Sequence, residues 1–392
     1  MTAVTTLGAP VRYSRKLSQI ERGYLTAAAS GTDQLIQTVV EGDGPLDPAE
    51  VADAVAVATA ANPGMAVTRR GPVWRSGGPV PPVVELPDWD LEHDELHRDI
   101  DVVTGPIAEI HLIPGDTQRL LVRASHIATD GRGLQHWMAD VFRVLRGEEP
   151  VGAPDTVTDT HFRGRADSGA GGGAGDAAPV AHARFPAVLG HGPSGDRPLW
   201  TRRLVRAQPS AVTARIAAAI SRHVGAGGDA SGGRVAVPVD LRRHDRTIRS
   251  TANLTAQLLQ DITRDDDWRR LHGRLLRALM RKQEVAALRR DFVRTNPFAN
   301  SLDAAQEHDD TTFACTAIIS DHGPVDLDRF RTARFTPRRM YTLPMLVPYA
   351  EMFVSSFQTP DGTELTLSCR RRPGAAAAAE AILDDVQRLL QD

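Results

Sequence analysis

One segment of unusual composition divides the sequence into two parts of similar length. Residues 164–197 are rich in glycine, alanine and proline and contain few large apolar side chains. Such a segment has little apolar surface to bury, so it is typical of a flexible linker or crossover. The sequence therefore predicts an N-terminal half, residues 1–163, and a C-terminal half, residues 198–392, each long enough to bury a core.

The composition excludes several classes of protein. Hydrophobic residues make up 41% of the chain and charged residues 24%, as in proteins that bury a core. The formal net charge is −3, whereas nucleic-acid-binding proteins usually carry a strong basic excess. The two cysteines cannot build a disulfide framework or a four-cysteine zinc site. No apolar signal core or stretch of about 18 apolar residues occurs, so we expect a cytoplasmic protein without a membrane span. We also expect a monomer with no nucleic-acid partner.

Helix and strand signals are mixed in the N-terminal half. Asp47 precedes a proline and predicts the start of a helix that ends before an N-P-G turn. Residues 107–113 and 119–125 flank a P-G-D turn and predict an antiparallel hairpin. Apolar residues at helical spacing over 134–145 predict a helix with one buried face. This pattern is not the strict strand–helix alternation of a doubly wound sheet.

The C-terminal half carries the same mixture. Ser210 is predicted to cap a helix, and a long arginine-rich helix is predicted over residues 267–290. The remaining predicted elements are strands at 234–239, 312–320, 352–357 and 363–369 and a closing helix over 374–390. The whole chain therefore belongs to the α/β (α+β) class.

The strongest functional pattern is a histidine between a predicted strand and a predicted helix. His126 follows the strand, and Asp130 and Gly131 complete an H-x-x-x-D-G sequence before the helix. A histidine at such a junction is well placed to act as a general base for a hydroxyl or amine nucleophile. The aspartate is placed to fix the loop, and the glycine permits a tight exit into the helix. The alternative interpretation is a surface histidine beside an ordinary helix N-cap.

The order of several motifs resembles the acyltransferase superfamily of chloramphenicol acetyltransferase. That group includes condensation domains of peptide synthetases, plant BAHD acyltransferases and polyketide-associated acyltransferases. Besides H-x-x-x-D-G, the similar segments are 17–23 (LSQIERG), 105–107 (GPI), 237–242 (VPVDLR) with 251–254 (TANL), and 319–323 (ISDHG).

The sequence also departs from the pattern of that superfamily. Ser125 stands where condensation domains carry a second histidine, which makes the chain more similar to the single-histidine acyltransferases. Asp321 replaces the asparagine of the S-N-x-G turn. The D-F-G-W-G motif of the plant enzymes is absent from the sequence. We expect a free-standing protein, because no carrier-protein or adenylation segment is recognised in it.

The resemblance implies a fold of two similar halves. Each half would be a mixed, mostly antiparallel sheet covered by helices, with a tunnel between the halves. His126 would be the catalytic base in that tunnel. Asp130 would be structural and ion-paired with an arginine, for which Arg242 is the candidate, and Gly131 would help to hold the thioester.

The resemblance also implies the remaining site residues and the co-substrates. Possible tunnel or substrate-binding residues are Ser125, Asn253 and Ser320. No metal and no tightly bound cofactor is expected. The co-substrate would be acyl-CoA or a phosphopantetheinyl carrier protein, and the acceptor would be a small molecule.

The resulting functional prediction is an acyltransferase of bacterial specialised metabolism. It would move an acyl group from a thioester to a hydroxyl or amine of a metabolite. Two alternatives remain open at this point. One is a condensation-like enzyme that catalyses cyclisation or other non-transfer chemistry in the tunnel, and the other is a catalytically silent module that docks a carrier protein.

Overall fold

The computed structural model describes residues 13–29, 34–165, 183–225, 232–288 and 311–392. The strands are β1 (Ser14–Lys16), β2 (Leu35–Asp43), β3 (Val67–Arg70), β4 (Val73–Ser76), β5 (Val83–Glu85), β6 (Ala108–Ile113), β7 (Gln118–Ser125), β8 (Phe185–Pro186), β9 (Pro198–Val205), β10 (Gly233–Asp240), β11 (Thr255–Ile262), β12 (Thr312–Phe313), β13 (Cys315–Pro324), β14 (Thr336–Thr342), β15 (Ala350–Thr359) and β16 (Gly362–Arg370). The helices are α1 (Gln19–Ala29), α2 (Pro48–Ala61), α3 (Gly131–Leu145), α4 (Thr160–Arg165), α5 (Val212–Ser221), α6 (Trp268–Met280), α7 (Gln283–Ala287) and α8 (Ala375–Gln391). Within these ranges, no helix has the length and apolar character needed to cross a bilayer.

The N-terminal sheet has five strands in the order β14-β2-β7-β6-β5. Three of its four pairings are antiparallel, and only β5 and β6 run parallel. The helices α2 and α3 cover one face, where the apolar stripe of α3 predicted from the sequence is buried against the sheet. Asp47 caps α2 as predicted, since its carboxylate accepts hydrogen bonds from the amides of Ala49 and Glu50.

The C-terminal sheet has six strands in the order β11-β10-β13-β15-β16-β9. Its central pairings, β10 with β13 and β13 with β15, are parallel, and the outer pairings are antiparallel. The apolar faces of α5 and α8 pack on this sheet and form the largest hydrophobic cluster. The predicted fold class, two mixed and mostly antiparallel sheets covered by helices, is therefore confirmed.

The two halves of the chain share strands and core. The strand β14 belongs to the C-terminal half of the sequence but pairs with β2 at the edge of the N-terminal sheet. Phe335, just before this strand, and Met340, within it, are completely buried in the N-terminal core. A further cluster joins apolar side chains of α1 and β4 to those of β10 and β13. The division at residues 163 and 198 therefore describes the chain order and not two separate cores.

Part of the predicted linker, residues 183–197, makes specific contacts with the C-terminal half. Here β8 pairs with β12, and Leu189 is fully buried in the C-terminal core. The carboxylate of Glu351 accepts hydrogen bonds from the backbone amides of Val188 and Leu189. A few buried apolar residues and one buried carboxylate thus hold a segment that is otherwise poor in large apolar side chains. Residues 166–182 of the predicted linker lie outside the described residues.

Two helix predictions also need correction. The helix predicted over 267–290 ends at Met280, because Lys282 adopts a left-handed conformation with φ 51° and turns the chain into α7. This turn buries Val285 in a separate cluster beside β11. Ser210 is not a cap: Ala211, with φ 58°, precedes α5 and provides no side-chain hydrogen bond.

The contact between β2 and β14 can be tested by adding one methyl group. A Cβ at Gly42 would lie 2.7 Å from the ring of Phe335 and still closer to the carbonyl of Thr336. We expect Gly42→Ala to lower the free energy of unfolding by about 1–3 kcal/mol, measured by urea denaturation. The matched control is Gly273→Ala in α6, whose added Cβ meets no atom nearer than 3.4 Å and should stabilise the helix slightly. Equal stability of the two variants would contradict the close approach.

Candidate active site

The loop after β7 presents His126 between a strand and a helix, as the sequence predicts. The backbone amide of His126 donates to the carbonyl of Gln34 at 2.7 Å, which holds the loop beside the end of β2. Asp130 is the N-cap of α3, and its Oδ1 accepts from the amide of Gly133 at 2.7 Å. The local pattern of strand, histidine, turn and helix is therefore present.

The imidazole of His126 lies between a tyrosine and an asparagine. Its ring stacks on Tyr24 of α1 with centroids 4.4 Å apart, and Nε2 lies 3.4 Å from the tyrosine hydroxyl. On the other side, the amide nitrogen of Asn253 donates to the His126 carbonyl at 2.9 Å and lies 3.2 Å from Nδ1. The ring is thus fixed on both sides, with Nε2 towards the tyrosine hydroxyl.

The surroundings of His126 keep its ring neutral at physiological pH. Burial lowers the pKa of His126 below its usual value, although the Asp130 carboxylate and hydrogen bonds to the carbonyls of His126 and Thr129 act in the opposite direction. The tautomer that can act as a base carries its proton on Nδ1, and the Asn253 amide then donates only to the His126 carbonyl. That tautomer keeps a lone pair on Nε2.

Asp130 forms an ion pair with Arg242 and does not contact the imidazole by a hydrogen bond. Its Oδ2 accepts from Nη1 of Arg242 at 2.9 Å and from the amide of Leu254 at 2.7 Å. Burial by itself would raise the pKa of the Asp130 carboxyl, but the Arg242 guanidinium and two backbone amides hold that pKa below its usual value. The contact expected between Asp130 and Arg242 is therefore present, and it joins the two halves of the chain.

Arg242 is itself held by backbone oxygen atoms. Its guanidinium donates to the carbonyls of Ser250 at 2.8 Å and Ala252 at 2.7 Å, and Nη1 also meets Asp240 Oδ1 at 2.9 Å. These contacts shape the loop that carries Asn253 and Leu254 to the histidine loop. The ion pair thus positions the partner of His126 as well as the helix α3.

The glycines at the start of α3 permit a close approach of the C-terminal half. A Cβ at Gly131 would lie 3.1 Å from Cε1 of His322, and a Cβ at Gly133 would lie 2.6 Å from the carbonyl oxygen of Thr251. Gly131 of the H-x-x-x-D-G motif therefore lies close to the second half of the chain. Gly133, which the sequence analysis did not select, leaves even less room for a side chain.

A cavity of about 150 Å³ lies between the two halves at this loop. Much of its wall is apolar and comes from α1, β13 and the segment before β15. The predicted residues His126, Asp130, Gly131 and Ser320 line this cavity. Its other lining residues include Ile20, Tyr24, Leu35, Gln37, Arg132, Gln257, Ile318, Asp321, His322, Met345, Val347, Tyr349 and Phe353.

Ser125 and Asn253 are the other two predicted tunnel or substrate-binding residues, and both lie away from the cavity surface. Neither residue is among those that line the cavity, and each is nearly inaccessible to solvent. Ser125 lies at the end of β7 with its hydroxyl towards the amide of Ile127 at 3.4 Å. Asn253 lies behind the loop, where its amide holds His126. Both residues support the loop from the protein side.

The sequence analysis missed several polar side chains of the cavity, among them Tyr24, His322, Gln257 and Tyr349. Tyr24 follows the similar segment 17–23 directly, and His322 lies within the similar segment 319–323, so both carried a signal that was not used. Gln257 donates to the hydroxyl of Tyr349 at 2.7 Å on another part of the wall. These last two residues belong to no motif and become visible only in the folded chain.

A second cluster of titratable groups lies outside the cavity. Glu95, Glu109 and His111 place one ligand atom each within 4.8 Å of one another. Two guanidinium groups, those of Arg98 and Arg123, already form ion pairs with Glu109. The pKa of Glu109 falls to about 2: burial opposes this shift, while the hydrogen bonds from His111 and Arg98 and the charge of Arg123 produce it. The cluster fits a structural ion-pair network better than a cation site.

Comparison with known proteins identifies the fold. No protein-family model and no curated protein matches the chain. A mutant of the starter condensation domain of rhizomide synthetase RzmA in complex with C8-CoA is similar with a TM-score of 0.68 and 12% identity over 97% of this chain and 95% of that one. The EpoB NRPS cyclization-docking bidomain from Sorangium cellulosum is similar with a TM-score of 0.64 and 16% identity over 100% of this chain and 87% of that one. The epimerization domain from the third module of tyrocidine synthetase B is similar with a TM-score of 0.63 and 12% identity over 98% of this chain and 99% of that one.

These similarities cover nearly the full length of the chain. The chain therefore has the two-lobed condensation-domain fold, and the resemblance drawn from the motifs is confirmed at the level of the fold.

The ion pair between Asp130 and Arg242 should make a large contribution to stability. Removal of either partner leaves the other charge buried, so Asp130→Ala and Arg242→Ala should each lower the free energy of unfolding by about 3–5 kcal/mol. The double variant should lose less than the sum of the two. Thermal and urea denaturation of the four proteins measures this coupling.

The control is Asp240→Ala, which removes a more exposed carboxylate from the same guanidinium and should lose less stability. Additive losses in the double variant, or an Asp130→Ala protein as stable as the parent, would disprove the coupling.

Proposed function

We propose that the protein is an acyltransferase that moves an acyl group from a thioester to the hydroxyl or amine of a small-molecule acceptor. His126 is the general base of the reaction. The observation that carries the proposal is the imidazole of His126, held by Tyr24 and Asn253 at the wall of a cavity between two halves of condensation-domain fold.

The geometry supports a direct transfer. The acceptor X–H group binds at Nε2 of His126, which removes its proton as the X atom attacks the thioester carbonyl. The tetrahedral intermediate then collapses, the carbon–sulfur bond breaks, and the thiolate takes the proton back from the imidazolium. A general base of this kind contributes about 10²–10⁴-fold to the rate.

The hydroxyl of Tyr24 supports this role of Nε2. Burial raises the pKa of Tyr24 well above its usual value, so the phenol stays protonated and donates to the lone pair of Nε2. An acceptor hydroxyl or amine that enters the cavity takes the same place. The stacked phenol ring then keeps the imidazole in position.

Support for a thioester donor comes from the structural neighbours. The starter condensation domain of rhizomide synthetase RzmA binds C8-CoA, and this chain has the same fold. We therefore propose acyl-CoA as the donor to test first, with a phosphopantetheinyl carrier protein as the second. The small cavity favours a short acyl group or a small acceptor near His126.

A second candidate function has one observation in its favour. The EpoB cyclization-docking bidomain has the same fold, with a TM-score close to that of the RzmA domain. A cyclising enzyme would release a cyclic product from one bound substrate, whereas a transferase needs a separate acceptor. Analysis of the products by mass spectrometry distinguishes the two.

His126→Ala should abolish acyl transfer and leave the fold intact. The assay follows free thiol from acyl-CoA in the presence of candidate alcohols and amines, and turnover should fall about 10²–10⁴-fold. His191→Ala is the matched control, because it removes an exposed histidine that does not line the cavity. A loss of less than about tenfold in His126→Ala, with an unchanged melting temperature, would show that His126 is not the base.

The pH dependence follows from the lowered pKa of His126. Because burial lowers the pKa of His126 below its usual 6.5, the midpoint of the acid limb of the kcat/KM profile should lie below pH 6.5. Below that midpoint the ring takes up a proton and activity falls. A midpoint above pH 6.5 would contradict the burial of this imidazole.

A further inference from the structure

A second histidine, His322, lies on the cavity wall, and the proposed acyl transfer gives it no role. Alternate residues of a strand point to the same face, and Ile318, Ser320 and His322 of β13 all line the cavity. Nε2 of His322 lies 3.5 Å from Oγ of Ser320. The strand therefore places an imidazole nitrogen and a hydroxyl side by side on the wall.

The position of the His322 ring is fixed by three contacts. It stacks on Phe357 with centroids 4.1 Å apart and an angle of 5°. The backbone carbonyl of His322 accepts a hydrogen bond from Arg132 Nη2 at 2.7 Å. The third contact is that of Nδ1 with the side-chain amide of Gln135, 3.1 Å away.

The contact with Gln135 decides which nitrogen of His322 carries the proton. Nη1 of Arg132 donates to Oε1 of Gln135 at 3.4 Å, so the amide NH₂ group faces the histidine. That NH₂ group is a donor, and Nδ1 must accept from it. The proton of the neutral ring is therefore on Nε2, next to Ser320.

His322 stays neutral over the physiological range. Burial is the main reason that its pKa falls to about 3, and the charge of Arg132 adds to the effect. A ring with its proton fixed on Nε2 and with so low a basicity cannot activate Ser320 as a nucleophile. It can only donate a hydrogen bond.

Two donors side by side can bind one oxygen atom. The heavy atoms of the His322 N–H and the Ser320 O–H lie 3.5 Å apart, so an oxygen between them can accept from both at about 2.7–3.1 Å. His322 lies beside Gly131, where an added Cβ would be 3.1 Å from its Cε1, and Gly131 ends the short loop that carries His126. Both rings therefore line the same part of the cavity.

We propose that His322, together with Ser320, binds the carbonyl oxygen of the acyl group and stabilises the oxyanion that develops on it. This proposal rests on the proposed acyl transfer. It assigns the two histidines of the cavity to different tasks, since His126 accepts a proton and His322 donates a hydrogen bond.

The first test examines the ring itself and needs no turnover. ¹⁵N NMR of the histidine side chains should show His322 with a proton on Nε2 and a bare Nδ1 from pH 5 to 8. Addition of a butanamide analogue of the acyl-pantetheine thioester should shift the Nε2 resonance of His322. The analogue should bind at least tenfold more weakly to His322→Phe, which keeps the ring stacked on Phe357 but has no N–H. A proton on Nδ1, or equal affinity of the two proteins, would overturn the proposal.

The second test uses the thioester assay. Loss of one oxyanion donor lowers kcat about 10²–10³-fold, so His322→Phe and Ser320→Ala should each lower kcat strongly with little change of KM. The control is again His191→Ala, and melting temperatures verify the fold. A His322→Phe enzyme within threefold of the parent kcat would also overturn the proposal. If the parent protein releases no thiol from any thioester, the proposed function fails, and the NMR and binding results still decide the role of His322.

Discussion

The buried ion pair between Asp130 and Arg242 is the interaction on which the site depends. Two charges removed from water are stabilised only when their remaining hydrogen-bonding groups are satisfied. Here Asp130 accepts from the amides of Gly133 and Leu254, and Arg242 donates to carbonyls of the loop before β11. The pair therefore fixes the start of α3 and a loop of the other half at once. Any shift of the two halves at this point would leave a buried charge without its partner.

The loop that carries His126 is held at two further points. Asn253 donates to the carbonyl of His126 at 2.9 Å, and Nη2 of Arg15 donates to the carbonyl of Ala128 at 2.9 Å. Arg15 is itself a member of a buried ion pair with Glu21 of α1. Two polar side chains from distant parts of the chain, those of Arg15 and Asn253, thus hold one short loop. Such a support fixes the position of the His126 ring before any ligand arrives.

The sequence predicts the parts of this structure that depend on neighbouring residues. The hairpin that ends at Ser125, the helix α3 and the His126 loop between them follow from local periodicity and turn residues. The position of β14 in the other sheet could not be predicted in this way, because a strand carries no local signal for its partner. The same reason applies to Gln257, whose contact with Tyr349 spans 92 residues. The pairing of Asp130 with Arg242 could be predicted only from the resemblance to proteins with the same order of motifs.

The two histidines of the cavity show why the neighbours of a ring matter as much as its pKa. Burial lowers the pKa of both rings and keeps both neutral. A neutral imidazole still offers one acceptor and one donor, and the neighbours of its two nitrogens decide which of them faces the cavity. The protonated hydroxyl of Tyr24 beside Nε2 of His126 favours a lone pair on that nitrogen. At His322 the side-chain amide of Gln135 lies beside Nδ1 and favours a proton on Nε2. A single cavity can therefore present a lone pair from one imidazole and an N–H group from another.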